Sequence, residues 1–148
     1  MALINPYIHF NGNAMEAFTF YRMVFGGDFE KLMYYKDLSG VGYTIAENDA
    51  NRITHIALPI GETNKLMGSD VLEIMGKVTE NDNRNTIYIM AESLEKADQL
   101  FKGLTQDGNI EMPISEGPFG AYFGMLTDKY GVQWMVQFEP AHADALQE

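Results

Sequence analysis

Polar and apolar positions along this chain follow two rhythms, a period of two and a period near 3.6, and the sequence of rhythms runs through twice. An extended opening from Tyr7 to Asn11 precedes Asn13 to Phe25, where Ala14, Ala17, Phe18, Tyr21, Val24 and Phe25 recur at helical spacing. Asn13 is placed to cap this helix, Glu16 sits at the capping-box position, and Gly26-Gly27 offer a left-handed stop. Extended segments are predicted next at Asp28 to Lys36, Ile53 to Ile60 and Lys65 to Ser69. The second round predicts a strand from Thr86 to Ala91, then a helix capped by Ser93 and ended by Gly108, with Leu94, Ala97, Phe101 and Leu104 on one face. Three strands follow, Asn109 to Ile114, Ala121 to Thr127 and Val132 to Phe138.

The helices superpose at an offset of 80 residues, Ala17 on Ala97, Tyr21 on Phe101 and Val24 on Leu104. The last strands superpose at 68, Leu58 on Leu126 and Met67 on Met135, so the first half carries the longer connection. Turn-forming residues place it around Asp37 to Arg52. The pattern predicts an α+β fold of two strand–helix–three-strand halves. They form one domain over residues 1–148, with halves at about 3–80 and about 81–139 and a tail at 140–148.

Composition narrows the partners. A chain of 148 residues buries a core without metal or disulfide staples. With 10 Lys+Arg against 21 Asp+Glu, the formal charge of −11 repels nucleic-acid phosphates and anionic membranes alike. No apolar run approaches the roughly 18 residues of a spanning helix, and MALINPYIHF has no secretory features, so a cytoplasmic location is expected. The absence of cysteine removes thiol nucleophiles and thiolate metal sites. No G-x-S-x-G elbow favours a hydrolase.

The opening PYIHFNGNAMEAFTFY and the run MPISEGPFGAYFGMLTDKYGVQWMVQF, with Met112-Pro113, Phe123-Gly124, Thr127-Asp128, Gly131 and Trp134-Met135 in order, resemble one known group. It is the PhnB-like branch of the glyoxalase/bleomycin-resistance/dioxygenase, or vicinal oxygen chelate, superfamily, and the likeness covers about residues 3 to 139. The resemblance implies two βαβββ units forming a cup-shaped mixed sheet with helices outside, a cavity for a small organic ligand, and a homodimer. It leaves the reaction open, because the superfamily holds metal-dependent isomerases, ring-cleaving dioxygenases, epoxide-opening resistance enzymes and metal-free antibiotic binders. A methyltransferase label attached to some relatives has no support here, since no glycine-rich strand-to-helix loop for a nucleotide cofactor occurs.

The superfamily's usual metal site takes ligands from the first and last strand of each half. Carried onto this sequence, those positions fall on Pro6, Met67, Thr86 and Met135, a poor cage for Mg, Mn, Fe, Ni or Zn. A ligand-binding protein with no metal and no other cofactor is therefore expected. The alternative is a lyase, isomerase or dioxygenase-type enzyme holding a divalent metal through His55 in an atypical site. Strand alternation turns His55, Ala57 and Pro59 away from the helix stripe of Ile56, Leu58 and Ile60 and into the cup. There His55 is either a ligand-contacting imidazole or a hydrogen-bonded structural one. His9 shares parity with Tyr7 and Asn11, opposite Pro6, Ile8 and Phe10, and is discounted as a ligand; His142 in the tail is expected to be inert.

The candidate ligand-binding residues are His55, Met67, Thr86, Tyr88, Phe119, Phe123, Gln133, Met135 and Gln137, with Met90 and Met125 as further adaptable walls. They describe an apolar cavity with amide and hydroxyl edges, suited to an apolar or aromatic compound, although the same residue types at strand spacing also fill cores. Gly117-Pro118-Phe119-Gly120 reads as a rim loop or as a plain turn. Glu111 and Glu116 are carboxylates without a visible partner, and no catalytic residue is assigned.

Overall fold

A computed structural model describes residues 2–38, 42 and 44–140, with Phe119 described in its backbone alone; His142 lies outside the described residues. The chain divides into two compact units after Val78.

The first unit runs β1 (Tyr7–Phe10), α1 (Ala14–Phe25), β2 (Lys31–Tyr34), β3 (Ile53–Ile60) and β4 (Asn64–Asp70). Its sheet has the order β1-β4-β3-β2, with β1 and β4 parallel and the other neighbours antiparallel. Phe18 and Tyr21 of α1, both fully buried, form an apolar core with Phe10, Ile56, Leu58 and Leu66 from the helix-covered face of the sheet. Gly68 makes this close packing possible, because a Cβ there would stand 2.6 Å from the Ile8 carbonyl oxygen and 2.9 Å from the Phe18 ring.

Two expectations are corrected in this unit. The Asn13 side chain makes no capping bond; the buried Asp70 carboxylate does that work from the end of β4. Its Oδ1 accepts the N–H groups of Gly12 (3.0 Å) and Ala14 (2.9 Å), and its Oδ2 accepts Ile53 N–H at 2.9 Å. The second correction is the facing of β1. Phe10, and with it Ile8, faces α1, with the Phe10 and Phe18 rings edge to face at 6.0 Å, so Tyr7 and His9 occupy the open side. Carrying the superfamily's first ligand position onto Pro6 puts Pro6, Ile8 and Phe10 on that side instead, and adding the helix offset of 80 makes Thr86 the mate of Pro6. By register, Tyr7 pairs with Met67 as Tyr88 pairs with Met135, an offset of 81. The extra residue falls at Asn11-Gly12, where Gly12 takes φ 105°, and a one-residue slip exchanges the two faces of a strand.

The second unit repeats the plan as β5 (Ile87–Met90), α2 (Leu94–Leu104), β6 (Asn109–Glu116), β7 (Tyr122–Thr127) and β8 (Gln133–Phe138), with sheet order β5-β8-β7-β6. Ser93 caps α2 as predicted, its Oγ accepting Lys96 N–H at 3.0 Å. The helix ends at Leu104 rather than at Gly108. Gly108 instead admits the chain beside β7, where a Cβ would stand 2.5 Å from the Thr127 carbonyl oxygen. Trp134, Leu126, Val136, Phe101 and Leu104 build the core. Buried Asp128 fixes the β7–β8 turn, its Oδ1 accepting Tyr130 and Val132 N–H and its Oδ2 accepting the Trp134 indole N–H at 2.8 Å. The two sheets are the paired βαβββ arrangement of an α+β fold. The longer connection of the first unit, from Tyr34 to Ile53, contains 3₁₀ turns at Tyr35–Leu38 and Glu47–Asp49. None of the described helices is long and apolar enough to cross a membrane.

Candidate functional site

Each sheet has one face covered by its helix and one face that is not, and the register says which side chains share the uncovered face. In the first unit these are Tyr7 and His9 on β1, Met67 and Ser69 on β4, and His55 and Ala57 on β3. Tyr7 lies against both imidazoles, with ring centroids 5.4 Å from His9 and 5.7 Å from His55. Its hydroxyl stands 3.3 Å from His55 Nδ1 and reaches the Thr54 carbonyl oxygen at 3.4 Å. Ser69 Oγ is 3.4 Å from His9 Nδ1. His9, discounted from its sequence position, thus shares this face with His55.

On the uncovered face of the second unit, Thr86 and Gln133, both sequence candidates, are hydrogen-bonded: Thr86 Oγ1 donates to Gln133 Oε1 at 3.0 Å. The Gln133 amide, 9% exposed, donates through Nε2 to both carboxylate oxygens of Glu111, at 2.9 and 3.1 Å. Thr127 Oγ1 adds a 2.5 Å bond to Glu111 Oε1. Three strand ends, β6, β7 and β8, together with the residue preceding β5, bring these four side chains into one line. The hydroxyl of Thr127, and then the amide of Gln133, hold the Glu111 carboxyl below its ordinary pKa. Glu111 is therefore a stabilised carboxylate, an acceptor rather than a poised general base.

Further along the face, Tyr88 pairs with Met135, Met135 with Met125, and Gln137 with both Met90 and Phe123. Tyr88 is 50% exposed, so it is not core filling, and burial of the remainder followed by the charge of Glu139 pushes its phenol pKa up. The Phe123 ring lies against the Gly117 backbone. The segment Gly117 to Gly120 is a turn, with Gly117 N–H bonded to the Ala121 carbonyl oxygen at 2.7 Å, and the side chain of Phe119 is outside the described residues.

Beside the Thr86–Gln133–Glu111–Thr127 line opens a cavity of about 630 Å³, walled by Asn81, Asn83, Asn109, Glu111, Thr127 and Gln133 among others. Its lining is polar where the sequence predicted apolar walls, and of the nine predicted ligand residues only Gln133 contributes to it. Asn81 and Asp107, the non-glycine residues with positive φ among those described, both lie on its wall. Glu111 was legible as a carboxylate without a partner. Its partners, and the asparagines from the segment before β5, come together only through the fold.

The donor set does not suit the divalent metal of the superfamily. Among the described residues no three His, Asp or Glu side chains gather in a way that could hold an ion. At the centre of each uncovered face stands a phenol paired with a thioether, Tyr7 with Met67 and Tyr88 with Met135, which are weak partners for hard cations.

Residues 3–136 match the profile of the family described as Glyoxalase/Bleomycin resistance protein/Dioxygenase superfamily. Protein YjdN of Escherichia coli is 26% identical over 136 residues, which cover 90% of this chain and 92% of that protein. Among solved structures, PA1353 from Pseudomonas aeruginosa is 33% identical with a TM-score of 0.81, covering 94% of this chain and 98% of its own. A PhnB protein from Bacillus cereus is 29% identical with a TM-score of 0.69, covering 93% of this chain and 100% of its own.

Proposed function

Because the chain belongs to the glyoxalase/bleomycin resistance protein/dioxygenase superfamily, in its PhnB-like branch, we propose that it binds a small organic molecule without the superfamily's usual metal. The observation that carries this reading is the directed line of hydrogen bonds from Thr86 through Gln133 to Glu111, with Thr127, beside a cavity large enough for such a ligand. Polar groups held this firmly are pre-organised, so a ligand meeting them loses little ordering entropy. Tyr88, Phe123, Met135 and Gln137 extend the surface with apolar and amide contacts, and His55 and Met67 offer the corresponding surface in the first unit. In this reading the protein is a single-domain cytoplasmic homodimer. Neither nucleic acid nor membrane is a partner of a chain with a net charge of −11.

The test is metal content per chain on untagged protein purified without chelator, paired with a thermal-shift screen of small organic compounds. The expected result is substoichiometric metal and at least one compound whose stabilisation disappears in Gln133→Ala. Near-stoichiometric Ni, Fe, Mn or Zn would overturn the metal-free reading. The alternative, a metal-dependent lyase, isomerase or dioxygenase-type enzyme, draws on the shared placement of His9 and His55 around Tyr7. It requires the bound metal to be lost in His55→Ala.

A further inference from the structure

Hydrogen-bond direction defines what the cavity can accept. The Thr86 hydroxyl spends its only proton on Gln133, and the Thr127 hydroxyl spends its own on Glu111. The Gln133 amide nitrogen turns both of its contacts toward the Glu111 carboxylate. Both hydroxyl protons of the line, and the Gln133 N–H that bridges the two Glu111 oxygens, are thereby committed inward. What the line itself presents to a ligand is acceptors, the remaining lone pairs of Glu111 Oε2 and of the Thr127 oxygen, beside the amides of Asn81, Asn83 and Asn109 on the wall. Lys129, a cation on the cavity wall, holds its Nζ over the Tyr130 ring, 5.5 Å from the centroid. Asp128, on the same wall, is used internally by the β7–β8 turn and Trp134, so the negative charge offered to a ligand comes from Glu111, within the polar line, and from Asp107 on the same wall.

We propose that this cavity selects an organic cation presenting N–H donors, an amidinium, guanidinium or primary ammonium group directed at Glu111 and flanked by the Thr127 oxygen. The inference rests on the ligand-binding reading and narrows it to a class. A carboxylate or phosphate ligand would meet the negative charge of Glu111 with both threonine hydroxyl protons of the line already committed. A planar amidinium fits best, because two parallel N–H bonds match a carboxylate edge.

Benzamidine, benzamide and benzoate have the same size and planarity and differ in charge, so they are the probes. They are titrated into the wild-type chain at pH 7, with affinity from calorimetry and location from ¹H–¹⁵N amide shifts. The expected order is benzamidine first, benzamide weaker and benzoate undetected, with shifts centred on Glu111, Thr127 and Gln133. Glu111→Gln should lower benzamidine affinity roughly tenfold, the scale of a lost charge-assisted bond. Benzoate or benzamide binding as tightly as benzamidine would overturn the cation class while leaving the cavity as a ligand site. Benzamidine affinity unchanged in Glu111→Gln, or shifts lying elsewhere, would mark adsorption to an acidic surface and overturn the proposal. If none of the three perturbs these amides, the class fails, and the ligand-binding reading then stands or falls on the compound screen. Should Glu111→Gln not fold, the charge order in the wild type together with the location of the amide shifts decides the matter.

Discussion

At the scale of single residues, two buried aspartates do work that is usually left to local turns and caps. Asp70 gathers Gly12, Ala14 and Ile53 N–H groups that are 58, 56 and 17 residues away in sequence. No local motif announces such a role, which is why Asn13 looked like the cap. Two of these bonds are fully buried, and a buried donor left without a partner costs about 1–3 kcal/mol. Asp70→Ala should therefore destabilise the fold by about 4 kcal/mol, read from the urea midpoint at constant m. Asp70→Asn keeps one acceptor oxygen and should fall between the wild type and alanine. A loss under about 1 kcal/mol for alanine would mean that water or a neighbouring carbonyl shift satisfies these donors, and the cap would have to be sought elsewhere.

At the scale of elements, the eight strands and two helices among the described residues were all legible in the sequence, most directly where a strand covered on one side alternates accordingly, as β7 does. The facing of β1 was not. YIHF has apolar residues at both parities, and only the packing of Phe10 on Phe18 decides between them. The polar line at Glu111 was hidden for a different reason: its members come from β6, β7, β8 and the residue before β5, and cross-strand neighbours are set by register rather than by spacing. The two helix starts give a direct comparison. Ser93 Oγ accepts Lys96 N–H, whereas Asn13 makes no such bond and its buried Oδ1 has no hydrogen-bond partner. Ser93→Ala should cost about 1 kcal/mol, while Asn13→Ala should be neutral or slightly stabilising, since it removes an unsatisfied acceptor. Equal losses at the two positions in chemical denaturation would show that the Asn13 amide caps α1 in solution.

At the scale of the whole molecule, surface charge and sheet edges act against each other. Each sheet ends in strands with one edge unpaired in its own ladder, and β6 is exposed along most of its length with Ile110 and Met112 about half exposed. Such an edge favours pairing with another copy, and the proposed homodimer would cover apolar surface of this kind. A formal charge of −11 on each chain opposes that pairing through repulsion that acts over about 8 Å at physiological ionic strength. If apolar burial drives association and charge resists it, salt must tighten the dimer. Sedimentation equilibrium should find a species of twice 16.7 kDa whose dissociation constant falls as sodium chloride is raised from low to physiological strength and beyond. A dimer that loosens with salt would instead be held by ion pairs across the interface, and the apolar edge would lose its role. A monomer at every ionic strength would remove the homodimer and leave each cavity to work within a single chain.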